Sequence, residues 1–166
     1  MKKNEKANVL KTNVYKILDK MQIPYSIHIY VDSDAISGME VANVLNQDPH
    51  KVFKTLVTEG KSGNHYVFLV PVCAELDLKK AATLIGEKNV NMIKSKELLG
   101  LTGYIHGGCS PIGMKKFFKT TIDESALKFD TIMFSGGKIG YQVEMKLDDL
   151  KKVIQFNLGD IIEKEL

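Results

Sequence analysis

Two apolar, β-branched runs most limit how this chain can fold. V-F-K-T-L-V-T at residues 52–58 and H-Y-V-F-L-V-P-V at residues 65–72 are separated only by E-G-K-S-G-N. A connection this short, rich in Gly, Ser and Asn, cannot hold a crossover helix. The two runs are therefore expected to pair as an antiparallel hairpin. A hairpin near the middle of the chain excludes a purely parallel, doubly wound sheet.

Other segments fill in around this hairpin. Val9, Leu10, Val14, Ile17, Leu18 and Met21 recur at helical spacing, and Pro24 follows. Residues 25–31 alternate as a strand, with Tyr30 near its end. Ser37 and Glu40 form an S-x-x-E capping box ahead of Val41, Val44 and Leu45, which predicts a short helix. Asp77 caps a helix reaching Leu84 and ended by Gly86, and Ser95 caps another carrying Glu97, Leu98 and Leu99. V-N-M-I, F-K-T-T-I-D, T-I-M-F-S and Y-Q-V-E-M read as strands. Asp148 opens a closing helix with Leu150, Val153 and Ile154.

Helices thus interleave with strands that are often joined by tight turns. The expected fold is α+β, with a mixed, partly closed β-barrel-like sheet surrounded by helices. It is expected to form one domain over residues 1–166, since no repeat or linker interrupts the 166 residues.

The formal net charge of +3 is too small to announce a nucleic-acid binder, although a local basic face remains compatible with it. The two cysteines, Cys73 and Cys109, are too few for a disulfide scaffold and have no zinc-like spacing. No apolar run approaches membrane-span length, and the basic N-terminus lacks a signal-peptide core. The expected setting is soluble and cytoplasmic, with no membrane partner.

The densest run of unusual residues is H-G-G-C-S-P-I-G-M-K-K, residues 106–116. Gly108 and Gly113 match P-loop spacing, but Met114 replaces the lysine, no Ser or Thr follows, and Pro111 removes an amide. Those departures argue against nucleotide-triphosphate hydrolysis by a P-loop. Gly107 and Gly108 would let main-chain groups approach a ligand, with Ser110 adding a hydroxyl; a tight structural turn is the competing reading. His106 and Cys109 share the loop, but a nucleophile and its base must meet in space, not merely in sequence. Lys54 shares a strand face with Val52 and Leu56, so it either guards an edge or lines a pocket that needs a cation. Thr55, on the opposite face, serves most simply as a β-former. G-K-I-G at residues 137–140 has the spacing of a KH-domain loop but joins strands rather than helices. His28, His50, His65 and His106 show no metal spacing, and no carboxylate pair stands out.

Together, V-F-K-T-L-V, L-D-L-K-K-A-A, T-G-Y-I-H-G-G-C-S-P-I-G-M-K-K and F-S-G-G-K-I-G occur in an order and spacing that resembles the YbaK/EbsC family. This family comprises free-standing Cys-tRNA(Pro) deacylases related to the editing domain of prolyl-tRNA synthetases, and the resemblance runs from about Val14 to Ile161. It implies an editing enzyme that releases cysteine from Cys-tRNA(Pro), and also from Cys-tRNA(Cys), without metal or cofactor. The expected step is attack by the substrate's own thiol to give a thiolactone. The partners it implies are aminoacyl-tRNA(Pro) and, transiently, prolyl-tRNA synthetase.

Carried over by position, the resemblance puts catalytic roles on Lys54, Gly107 and Ser135. It puts substrate-binding roles on Tyr30, Thr55, Gly108, Ser110, Pro111, Gly136 and Gly137. Cys109 stands where the family commonly has a hydrophobic residue. Ile139 and Gln142 replace residues that are frequently basic and acidic. The alternatives are editing of another tRNA(Pro) ester, such as Ala-tRNA(Pro), by water; a noncatalytic tRNA-binding or regulatory protein of the same fold; and a Cys109-dependent hydrolase.

Overall fold

The computed structural model describes residues 11–164. The chain runs α1 (Asn13–Lys20), β1 (Ser26–Ile29), α2 (Gly38–Val44), β2 (Phe53–Gly60), β3 (His65–Pro71), α3 (Leu78–Ile85) and β4 (Val90–Met92). It continues through α4 (Ser95–Thr102), β5 (Lys119–Asp123), a 3-10 turn (Glu124–Lys128), β6 (Ile132–Ser135), β7 (Tyr141–Met145), α5 (Leu147–Leu150) and β8 (Asn157–Gly159). Residues 8–10 of the expected first helix lie outside the described residues.

The expected hairpin forms, with β2 antiparallel to β3 from Phe53↔Pro71 to Glu59↔His65. Together with β4, β5 and β8 it builds a mixed five-stranded sheet in the order β4-β2-β3-β5-β8. The pairings β3–β5 and β5–β8 are parallel. A second, three-stranded sheet has the order β1-β7-β6. The two are joined by one parallel bridge, Val52↔Met133. The α+β class stands, but the partly closed barrel does not form: no ladder among the described strands closes the sheets on each other. The reason lies in the chain itself, since each sheet is built around its own hairpin and, among the described residues, a single bridge rather than a ladder joins them.

Capping follows local chemistry. The Ser37 hydroxyl accepts the Glu40 N–H while the Glu40 carboxylate accepts the Ser37 N–H, completing the box on α2. Asp77 accepts from Lys79 and Lys80 N–H, and Gly86 ends α3 at φ 78°. The next helix differs from expectation. Ser95 is its first residue rather than its cap, because Glu97 reaches back to the Lys94 N–H and makes Lys94 the boundary. The closing helix is also shorter than the apolar spacing implied. It ends at Leu150, leaving Val153 and Ile154 in a turn packed against the main core.

That core lies between α1 and the inner faces of both sheets, with Tyr15, Leu18, Leu69, Ile122, Phe134 and Val143 fully buried. A polar staple ties the sheets together at one end. Glu144 on β7 accepts from Lys51 Nζ at 2.8 Å and from the Thr131 hydroxyl, and its other oxygen lies 2.8 Å from His28 Nε2. Burial acts to raise the Glu144 carboxyl, but the hydrogen bonds from Lys51, Thr131 and His28 outweigh it and hold the group at about 2.

The sign of the linkage follows from that depression. Stability from Glu144 is fully present above the ordinary carboxylate pKa near 4.5 and is lost as pH falls from there toward 2. Allowing for its partial exposure, the loss is expected to be about 2 kcal/mol. Urea unfolding at pH 7 and pH 3 should show it, and Glu144→Gln should flatten that pH dependence while lowering stability at pH 7. Equal pH dependence in the two proteins would remove Glu144 from the account.

Candidate active site

β4 pairs with β2 only from Thr58 to Gly60 and Ile93 adds a last bond to Val57, so the outer edge of β2 between Phe53 and Leu56 is not covered by it. A cavity of about 500 Å³ opens along this edge. Residues 52–57 form one wall, Met92, Ile93, Ser95 and Leu98 another, and Ile36, Ser37, Gly38, Met39 and Val41 a third. His106, Gly107 and Cys109 come from the glycine loop, with Ser135 and Gln142 from the second sheet.

Of the residues expected at the site, the fold brings Tyr30, Lys54, Thr55, Gly107 and Ser135 to this one cavity. Thr55 reaches it despite lying on the strand face opposite Lys54, because the cavity borders an open strand edge rather than one face. Lys54 sits on β2, its side chain about a quarter exposed, with Nζ 3.7 Å from a carboxylate oxygen of Glu75. Glu75 is itself well exposed, so this contact restrains the lysine only weakly. The Ser135 hydroxyl accepts the Gly137 N–H at 3.1 Å, and the Tyr30 N–H donates to Gly140 C=O at 2.8 Å.

Gly108, Ser110, Pro111, Gly136 and Gly137 do not line the cavity; they hold up its walls. The Gly108 N–H closes a turn on Ile105 C=O at 3.0 Å, with Gly107 at φ 87° in its third position. That is the geometry of a type II turn, which calls for a glycine there. A Cβ on Gly108 would meet the backbone of Lys138 and Ile139 at 3.2–3.4 Å, so the two glycine loops lie directly on each other. The Ser110 hydroxyl, fully buried, accepts Ile112 N–H at 3.3 Å. Pro111 is buried beside it. Gly136 is held by α1: its C=O accepts from the Thr12 hydroxyl at 2.6 Å, and a side chain there would collide with Tyr15. Gly137 adopts φ 101° against Val14 and Tyr104.

Cys109 lines the cavity yet is nearly buried. Burial pushes its thiol up to about 12, a hydrogen bond with Thr102 opposing this only in part. No hydrogen bond joins it to His106. A protonated, buried thiol is a poor nucleophile, which argues against the Cys109-dependent hydrolase. Cys109→Ser should accordingly keep most activity, at least about half, in a deacylation assay; inactivation would restore that reading. Among the described residues no cluster of three or more His, Cys, Asp or Glu side chains is arranged to hold a metal ion.

Two features escaped sequence reasoning. The side-chain oxygens Thr55 Oγ1 and Gln142 Oε1 are both buried and have no hydrogen-bond partner. An isolated sequence gives no sign of such unpaired atoms, because pairing depends on which elements fail to meet. The cavity mouth is also apolar, with Ile36, Met39 and Met92 each about half exposed. Ile139 packs toward Gly107, 3.3 Å from where a Cβ would sit. Lys115 and Lys138 flank the same loops, Lys115 against Gly103 and Lys138 against Gly108. Among the described residues no helix is long and apolar enough to cross a membrane.

Residues 32–153 match the family described as the aminoacyl-tRNA editing domain. A protein of Enterococcus faecalis named for Cys-tRNA(Pro)/Cys-tRNA(Cys) deacylase activity, EbsC, is 38% identical over 97% of this chain and 99% of its own length. A proline–tRNA ligase of Fervidobacterium nodosum is 24% identical over 84% of this chain and 27% of its own. A solved structure described as a trans-editing enzyme for prolyl-tRNA synthetase superposes with a TM-score of 0.78 at 23% identity, covering 91% of this chain and 95% of that one. At that identity it speaks to the fold.

Proposed function

This chain belongs to the aminoacyl-tRNA editing domain family, and on that premise we propose that it is a free-standing deacylase releasing cysteine from Cys-tRNA(Pro), with Cys-tRNA(Cys) as a second substrate. The observation that carries the reading is the content of the cavity. It gathers a cation, a glycine turn and hydroxyls around an open strand edge, while the one thiol in it is buried and protonated. Such a site supplies position and charge rather than an enzymic nucleophile.

The substrate then provides the nucleophile. Its Sγ attacks its own ester carbonyl, the C–S bond forms, and the C–O bond to the terminal ribose breaks. The thiol proton ends on the released ribose oxygen, leaving a β-thiolactone and free tRNA. Lys54 would oppose the negative charge that develops on the carbonyl oxygen. Gly107 would present its N–H there, since that group is not used to close the turn. Ser135, on the second sheet, would fix the terminal ribose. Lys115 and Lys138, flanking the glycine loops, would meet the phosphates of the acceptor end. Such selection after charging is useful because a binding pocket separates near-isosteric amino acids by only about 1–3 kcal/mol. A transient complex with prolyl-tRNA synthetase would deliver the charged tRNA.

Product analysis tests the step. Cys-tRNA(Pro) should yield a product of thiolactone mass, whereas Ala-tRNA(Pro), which lacks the thiol, should be spared. Equal rates on both esters would contradict substrate assistance and favour attack by water.

A further inference from the structure

Two buried, unpaired oxygens on residues that line the cavity point to what it recognises in the amino acid, given the deacylase reading above. Val57 C=O accepts the Ile93 N–H at 3.3 Å, which fixes the direction of alternate peptide groups along β2. By the two-residue repeat of a strand, the N–H and C=O of Thr55 face the same edge. There β4 has already ended, at Thr58↔Met92, and the one bridge to the second sheet among the described residues, Val52↔Met133, comes before β2 begins. Thr55 therefore has no ladder partner on this edge, where β4 has ended and the two sheets diverge. Its Oγ1 is buried and unpartnered, and so is Oε1 of Gln142, a residue only 6% exposed.

Buried acceptors without donors are costly and rare, and each asks for a partner. No Asp or Glu lines the cavity. A group bound here that brings several N–H donors would be satisfied by neutral oxygens. The free α-ammonium of an esterified amino acid is such a group. We propose that Thr55 C=O, Thr55 Oγ1 and Gln142 Oε1 form its receptor. Three acceptors match the three N–H bonds of a primary ammonium. A secondary ammonium, as in a prolyl ester, has one N–H fewer and leaves an acceptor unpaired. The subsite would thereby spare correctly charged Pro-tRNA(Pro) by counting donors, independently of any fit to the side chain. Gln142 acts in this as a specificity-determining residue, and its neutral amide is suited to a site that reads hydrogen bonds rather than charge.

The test isolates the amine from the thiol. Cys-tRNA(Pro) and N-methylcysteinyl-tRNA(Pro) carry the same thiol but differ by one N–H. Their kcat/KM values are compared in wild type and in Gln142→Met, which removes the acceptor at similar volume, with thermal melts confirming that both proteins are folded. In wild type the N-methyl ester is expected to react at least about tenfold more slowly. In Gln142→Met that penalty should shrink to about threefold or less, since the acceptor it would orphan is gone. An equal penalty in the two proteins, as a purely steric clash with the methyl group would give, overturns the receptor. So does equal turnover of both esters by wild type. Either result leaves the deacylase reading intact provided wild type releases cysteine, whereas no release at all removes that reading and this one with it.

Discussion

Lys54→Ala is expected to lower the rate of cysteine release by about 100-fold or more while barely changing stability. The size follows from the chemistry left in the cavity: with no ionised nucleophile supplied by Cys109, catalysis rests on stabilising charge at the carbonyl oxygen. Removing one preorganised donor or cation from such a site typically costs a factor of about 10²–10³. Stability should hold because the lysine's ion-pair partner, Glu75, lies at 3.7 Å and is mostly solvated, and exposed pairs contribute only about 0–1 kcal/mol. Rate and melting temperature together separate this from a folding defect. If the variant keeps more than about a tenth of wild-type activity, Lys54 is an edge lysine and not part of the machinery.

Gly136→Ala is expected to damage both fold and rate. A Cβ there would overlap the Tyr15 hydroxyl and stand 2.9 Å from Cζ of the same ring. Tyr15 cannot retreat: it is fully buried, stacked on Tyr25 at 5.6 Å, and donates to Gln142 C=O at 2.8 Å. Overpacking of this kind costs about 1–3 kcal/mol, a drop of roughly 2–12 °C in Tm for a chain of this size. Ser135 and Gln142, which flank the loop and line the cavity, would shift with it, so kcat should fall even well below the melting temperature. A variant with unchanged Tm would mean that the α1–loop contact is looser than the structure indicates.

What the sequence could reveal followed from how local each signal is. The β2–β3 hairpin was legible because its strands are strongly β-forming and their connection is short. The caps at Ser37 and Asp77 and the Gly86 stop were legible because each depends on a few neighbouring residues. The parallel pairing of β3 with β5 was not, since everything from α3 to the glycine loop lies between them. Nor was β8, where N-L-G has too little alternation to register as a strand. The bridge that joins the two sheets, Val52↔Met133, pairs residues far apart in the chain, and no local pattern encodes it.

The candidate site divides in the same way. Lys54, Gly107 and Ser135 stood out through residue type and motif order. Gly108, Ser110, Pro111, Gly136 and Gly137 stood out for the same reason, yet the fold sets them behind the cavity wall. Only packing separates residues that could touch a ligand from those that shape the loops around it. Thr55 shows the converse, since strand alternation put it on the wrong face for a shared pocket. It borders the cavity because the edge of β2 is open there, and an open edge is a property of the whole sheet.

The most direct measurement is the release of [³⁵S]cysteine from Cys-tRNA(Pro) by wild type, Lys54→Ala and Cys109→Ser. Rapid release is expected from wild type, near-wild-type release from Cys109→Ser, and almost none from Lys54→Ala. Absence of release by folded wild-type protein would contradict the deacylase reading.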